Sequence, residues 1–273
     1  MAVPTKVKDR LVAGIKRYQP VLSSAKSRDV NESDTVTIVT DVLADIFGFD
    51  KYSEITSEYV IRGTCVDLAV KIEGKLQALI EVKAIGLDLK DSFLKQAVDY
   101  AANEGAEWVI LTNGALWQVY KVSFGKPISQ ELVLGIDFLT LNSRNADHVE
   151  SLYLLTREGM GKSMLNDYHA QRQALSRFFI GAMILSDSVL DVLRRELRKV
   201  SPDVKIDVEQ IKHVLVQEIL KRDVLEGEKA EEAKRKIARV AKRALKRVTK
   251  DSSVEEEVAS PAEPVVNVPL TPS

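Results

Sequence analysis

The stretch from Val66 to Val82 constrains the fold more than any other part of the chain. Val66, Leu68, Val70 and Ile72 precede Glu73-Gly74-Lys75, and Leu76, Ala78, Ile80 and Val82 follow it. Strand side chains alternate between faces, so a turn centred on Gly74 gives antiparallel partners whose numbers sum to 148 and gathers this apolar set on one side of a ribbon. Such a ribbon has to lie on a core. Its other side places Asp67 opposite Glu81, with Lys83 two residues along and on the same face as Glu81.

The flanking patterns extend this into a domain. Val7, Leu11, Ile15 and Tyr18 recur at helical spacing. Val36, Val39, Leu43, Ile46 and Phe47 form a second stripe, which Asn31 or Ser33 can cap and Gly48 can end. Strands are expected over residues 54–61, 66–73 and 76–83, then a helix from about 90 to 104 closed by Gly105. Strands 108–111 and 116–122 flank the turn Thr112-Asn113-Gly114. The order ααβββαββ describes an α/β domain over residues 1–142, a mixed sheet flanked by helices. From Asn145 the patterns are helical only, at about 146–158, 165–184, 188–200 and 208–225, with Ser201-Pro202-Asp203 as a break, so residues 143–225 read as an all-helical domain. Residues 226–250 read as a basic amphipathic helix with Ile237, Val240, Ala241, Ala244 and Val248 on one side. Residues 251–273, acidic and rich in proline, read as a disordered tail.

Composition narrows the function classes. No apolar run approaches the ~20 residues of a spanning helix, and the charged first twenty residues lack an apolar signal core, so a cytoplasmic protein away from the membrane is expected. The single cysteine, Cys65, and three scattered histidines, His148, His169 and His213, exclude a Cys/His zinc site, which leaves carboxylates as metal ligands. Gly161-Lys162-Ser163 imitates the end of a phosphate-binding loop, but Thr156 stands where its first glycine belongs and a helix precedes it. Ser163 and Ser176 have no triad context.

Two carboxylates facing one another across a hairpin repel, and a hard divalent cation compensates them. Asp67 and Glu81 could hold Mg²⁺, for which Mn²⁺ would substitute, while Lys83 orients or deprotonates a water or stabilises charge at a phosphoryl centre. Taken alone, an acid pair and a lysine on a strand face also describe ordinary solvated surface.

At these residues the chain resembles the PD-(D/E)XK nuclease superfamily. The motif here is Val66-Asp67, thirteen residues, then Glu81-Val82-Lys83, with Gln96 and Tyr100 matching the Gln-x-x-x-Tyr element of the RecB and type I restriction groups. Asn31-Glu32-Ser33-Asp34-Thr35, the helix ending Phe47-Gly48-Phe49-Asp50, and Leu111-Thr112-Asn113-Gly114 with Trp117 are similar to the N-terminal nuclease domain of type I restriction R subunits. The resemblance covers about residues 28–125 and implies a restriction-endonuclease-like fold. It implies Asp67, Glu81 and Glu32 at the metal, Lys83 as the catalytic lysine, and Gln96 and Tyr100 as positioning groups. Valine replaces the proline before Asp67, and no helicase motor follows, so translocation-coupled cleavage by this chain alone is not expected.

The expected activity is Mg²⁺-dependent endonucleolytic cleavage of DNA in restriction, defence or DNA processing. The alternatives are a nuclease-like fold that binds nucleic acid without turnover, or a protein-interaction subunit of a restriction complex. Residues 229–250 hold ten Lys or Arg against two Glu, whereas the first 228 residues carry a net charge of −4. Phosphate contacts are therefore assigned to Lys234, Arg235, Arg239, Lys242, Arg243, Lys246 and Arg247, with a solvated helix face as the plain alternative. DNA is the expected partner, joined by other restriction or defence subunits, and a double-strand break would call for a homodimer.

Overall fold

The computed structural model describes residues 2–61, 64–125 and 127–257, with side chains omitted at 61, 64 and 243–257. The chain divides into two compact units, Met1–His169 and Ala170–Ser273.

The first unit is α/β. Helices α1 (Thr5–Ser27) and α2 (Glu32–Asp45) precede strands β1 (Ile55–Ile61), β2 (Thr64–Ile72) and β3 (Lys75–Val82). Helix α3 (Asp91–Glu104) then leads to β4 (Trp108–Thr112), β5 (Leu116–Ser123) and β6 (Ser129–Asp137). The six strands lie in the order of the sequence and every pairing is antiparallel except β3 with β4. A parallel pair needs a crossover, and α3 is that crossover.

The local chemistry accounts for these elements. On α1, Val7, Leu11, Ile15, Tyr18, Leu22 and Ala25 form the buried stripe. Asn31 caps α2 by accepting the N–H of Asp34, and Gly105 closes α3 in the left-handed region at φ 69°. The β2–β3 loop is the pair Glu73-Gly74 with φ values of 52° and 76°, the type I′ signature of a two-residue hairpin. Helices cover both faces of the sheet. One core joins α1 and α2 to Leu68, Val70, Ala78, Ile80 and Val82. The other joins Leu94, Ala97, Val98 and Ala101 of α3 to Ala69, Leu79, Val109 and Leu111.

The hairpin register agrees with the sum of 148 at Leu68↔Ile80, Ala69↔Leu79 and Val70↔Ala78, then slips at a bulge to Lys71↔Leu76 and Ile72↔Lys75. The bulge turns Leu76 to the α3 side, where Val66 also packs, so the apolar side is not uniform. Strand β6 is absent from the expected order. As an edge strand it buries Val133, Leu134 and Ile136 while its first four residues are exposed, so its sequence carries no alternating signal.

The first unit reaches beyond residue 142 because Val149, Leu152, Tyr153, Leu154, Leu155, Met160 and Leu165 all enter its core. The single helix expected over 146–158 is two, α4 (Ala146–Tyr153) and α5 (Arg157–Gly161), the second capped by Thr156. Arg10 of α1 clamps Glu158 of α5 with two bonds, at 2.9 and 2.6 Å.

The second unit is helical. Helix α6 (Met164–Ala174) contains the division, and α7 (Arg177–Ile184), capped by Ser176, and α8 (Asp187–Val200) follow. Helix α9 (Val208–Val214) runs into a π-helical turn (Leu215–Ile219) before α10 (Arg222–Leu225) and α11 (Glu228–Glu257). The first turns of α11 pack on α7 through buried Ala230 and Ala233. Of the apolar side expected on this helix, Ile237 is half-buried and Val240 is 65% exposed, while the side chains of Ala244 and Val248 lie outside the described residues. Helix α11 passes the boundary placed at residue 250 and continues to Glu257. The rest of the expected tail, residues 258–273, lies outside the described residues. No helix among the described residues is long and apolar enough to cross a membrane.

Candidate functional site

The site stands at the carboxyl end of β3, beside the parallel neighbour β4. The backbone N–H of Lys83 donates to Thr112 O at 2.8 Å, which extends the β3–β4 pairing by one bond. That bond holds the lysine at the end of a central strand. Glu81 is buried, and Asp67 and Lys83 are half-buried.

Lys83 Nζ lies 2.8 Å from Glu81 Oε1 and 3.6 Å from Glu32 Oε1, the latter on the first residue of α2. Its ammonium also stands 5.8 Å from the centre of the Phe93 ring, in the first turn of α3. Elements from both sides of the sheet therefore meet at one cation. Asp67 does not bond Glu81 directly. Its Oδ2 accepts the backbone N–H of Val82 at 2.7 Å. This fastens β2 to β3 just past the last paired residues of the ladder.

The electrostatics follow from burial. Burial raises the Asp67 carboxyl above its ordinary range, opposed by the Val82 N–H and the Lys83 charge. Burial also raises Glu81, against the hydrogen bond from Lys83, and the charge of Asp67 adds to the rise. For Lys83, burial acts toward the neutral amine. The Glu81 contact and the charges of Glu32 and Asp67 outweigh it and hold the ammonium above its usual value.

Gln96 Nε2 donates to Tyr100 Oη at 2.6 Å, one turn along α3. The tyrosine ring is buried in the core beneath that helix, whereas Gln96 is exposed. Phe93, Gln96 and Tyr100 recur at helical spacing, so the face that meets Lys83 at Phe93 also carries Gln96. Phe93 was not singled out from the sequence; its place three residues before Gln96 is the signal that could have found it. In the sequence Asn113 reads only as part of a turn. Its amide donates to Leu87 O at 2.8 Å and to Ile85 O at 3.3 Å, and its oxygen accepts the N–H of Leu116. It thereby clamps the segment leading from Lys83 to α3. Across β2 from Asp67, between the pairs Ser57↔Leu68 and Tyr59↔Val66, β1 departs from strand geometry at Glu58, with φ 48°.

A divalent cation fits part of the implied donor set. Asp67 Oδ1 and Glu81 Oε2 carry no hydrogen bond among the described residues, and these carboxylates repel one another in a half-buried place. Glu32 meets Lys83 rather than completing a ring of acids. Among the described residues no three His, Cys, Asp or Glu side chains come together as a metal-holding group. The donor set is thus two carboxylates, which suits an ion that keeps water and phosphate oxygens as its other ligands.

The basic residues of α11 belong to the second unit. Lys234 pairs with Glu231 at 2.8 Å, and Arg235 donates to the carbonyl of Glu231. Arg239 and Lys242 are exposed. The side chains of Arg243, Lys246 and Arg247 lie outside the described residues.

Residues 43–133 match the family model of the type I restriction enzyme R protein N terminus. The matched stretch is about a third of the chain and contains Asp67, Glu81, Lys83, Phe93, Gln96, Tyr100 and Asn113, but not Glu32. It links this part of the protein to restriction enzymes. No curated protein and no solved structure matches the chain.

Proposed function

We propose that the protein is a metal-dependent DNA endonuclease of the PD-(D/E)XK type, acting in restriction or a related defence or processing step. The observation that carries this reading is the meeting of Asp67, Glu81 and Lys83 at the carboxyl end of β3, within the stretch matched by the restriction family. Asp67 and Glu81 would hold Mg²⁺ or Mn²⁺ through their unbonded oxygens. The bound ion supplies Lewis acidity toward a phosphate oxygen and lowers the pKa of a bound water.

The chain's own groups divide the remaining work. Lys83, charged and held between Glu81 and Glu32, offers an ammonium to the negative charge that grows on a phosphoryl group under attack. That fits charge stabilisation better than proton abstraction. Gln96, exposed on the face of α3 that meets the site, is suited to orient a phosphate or a water. The exposed bases of α11 would add affinity independent of sequence.

Incubating the protein with supercoiled plasmid and with linear single-stranded DNA, in Mg²⁺, Mn²⁺ or EDTA, tests the proposal. Strand scission that needs a metal and is lost in Lys83→Ala is the expected result. DNA binding with no scission under any metal would make the chain a nucleic-acid-binding module instead.

A further inference from the structure

We propose that Phe93 is a positioning residue for Lys83, its ring holding the ammonium where the neighbouring acids alone would let it move. The inference rests on the nuclease reading for the reaction that Lys83 serves. It goes beyond that reading in naming what keeps the lysine in place.

A lysine is a poor fixed point. Its charge sits on a flexible four-carbon stem, so a single contact leaves it many ways to lie. The bond from the Lys83 N–H to Thr112 O fixes the backbone but not the stem. Glu81 Oε1, 2.8 Å from the ammonium, belongs to the same strand two residues earlier, so this pair ties the amine to no second element. Glu32 Oε1, at 3.6 Å, does come from another element, but its side chain is 48% exposed, and an ion pair open to water holds weakly.

The Phe93 ring, 5.8 Å from the ammonium, is the contact from α3. A cation over a ring within about 6 Å of its centre is attracted by the ring's quadrupole, and more strongly where water is excluded. The Lys83 side chain is only 15% exposed. The ring is itself anchored. Phe93 is half-buried against the core beneath α3, next to buried Leu94, and its N–H donates to Lys90 O at 3.0 Å.

Chemistry separates the ring from the acids. Glu81 is also a proposed metal ligand, and a carboxylate that turns to a metal gives up part of its hold on the ammonium. A phenyl ring is no ligand for a hard cation, so its hold on Lys83 does not compete with one. Phe93 and Gln96 stand three residues apart on one face of α3. One rigid helix thereby carries both the restraint on the lysine and the amide suited to orient a phosphate.

Two measurements on the full chain test this. In protein labelled with ¹³C-lysine, the Hε–Cε signal of Lys83, identified by its loss in Lys83→Ala, should lie upfield of the other lysines through the ring current. Phe93→Leu keeps an apolar side chain and should return the signal to the common position, whereas Phe93→Tyr should keep it shifted. In single-turnover cleavage with Mg²⁺, Phe93→Leu should lower the rate about five- to ten-fold with DNA affinity unchanged, and Phe93→Tyr should stay within about two-fold of the parent. In a Lys83→Ala background, Phe93→Leu should cost less than about two-fold, because a residue acting through Lys83 has nothing left to act on. An unshifted Lys83 signal in the parent overturns the inference. So does Phe93→Leu cutting at the parental rate, or losing as much without Lys83 as with it. A parent that shows the shifted signal but never cuts overturns the nuclease reading and upholds the placement of Lys83 by Phe93.

Discussion

Asp67 accepts the backbone N–H of Val82 at 2.7 Å, so the first acid of the candidate site is fastened to the strand that carries the second. Asparagine at position 67 keeps an acceptor and removes a charge from a repelling pair. In EDTA, Asp67→Asn should be as stable as the parent or up to ~1 kcal/mol more stable. Asp67→Ala removes the acceptor and should cost about 1–3 kcal/mol for an unpaired buried N–H. Thermal unfolding with and without Mg²⁺ separates the roles. The metal should stabilise the parent and not Asp67→Asn, and equal stabilisation of both would remove Asp67 as a ligand.

Lys83 should matter to turnover and not to affinity. Lys83→Ala is expected to lower the single-turnover cleavage rate by ~10²-fold or more, the usual consequence of deleting one group that meets transition-state charge. Its DNA dissociation constant and salt dependence should stay close to the parent's. A variant cutting at the parental rate would take the nuclease assignment away from this end of β3.

The Arg10–Glu158 clamp predicts a pH-dependent stability. Burial alone would raise the Glu158 carboxyl, but the Arg10 guanidinium overrides it and leaves the pKa below the ordinary value. A carboxylate with a depressed folded pKa stabilises the fold above its unfolded pKa of ~4.3, and that contribution is lost as pH falls through the folded value. Glu158 is 33% exposed, so Glu158→Gln should cost only ~1 kcal/mol at pH 7. Urea unfolding should show the gap between variant and parent closing below about pH 4. A gap of constant size down to pH 3 would mean that packing, not charge, ties α5 to α1.

Because the first turns of α11 pack on α7 through Ala230 and Ala233, removing the whole helix would disturb more than its charge. Neutralising exposed Arg239 and Lys242 to glutamine is the cleaner test. If each makes a phosphate contact, the log–log dependence of DNA affinity on salt should flatten by ~0.9 for each charge lost. An unchanged slope would return α11 to a solvated helix face.

Helices α1 to α3 and the first five strands were legible because their apolar spacings are long and regular, as with Val7 to Tyr18 on α1. Strand β6 was not, since two thirds of its residues face solvent at the sheet's edge. The boundary near residue 142 misled because α4 and α5 carry helical patterns like those that follow, and only packing assigns Leu152 and Leu155 to the sheet's core. At the site, period-two alternation put Asp67, Glu81 and Lys83 on one face. Sequence could not tell that Asp67 would bond a backbone N–H, or that Glu32 would approach Lys83, because both depend on how the start of α2 and the interior of β2 lie against the end of β3.

The bulge between Val70 and Lys71 has a consequence for altering the protein. A one-residue slip in a hairpin ordinarily reverses the facing of every side chain along it. Here the slip is already absorbed between the loop and the pairs nearest the site, and Glu73 and Gly74 are exposed, with nothing packed where a Gly74 side chain would project. The hairpin tip is therefore a permissive address for a peptide tag or a fluorophore, one that leaves the spacing of Asp67 and Glu81 as it is.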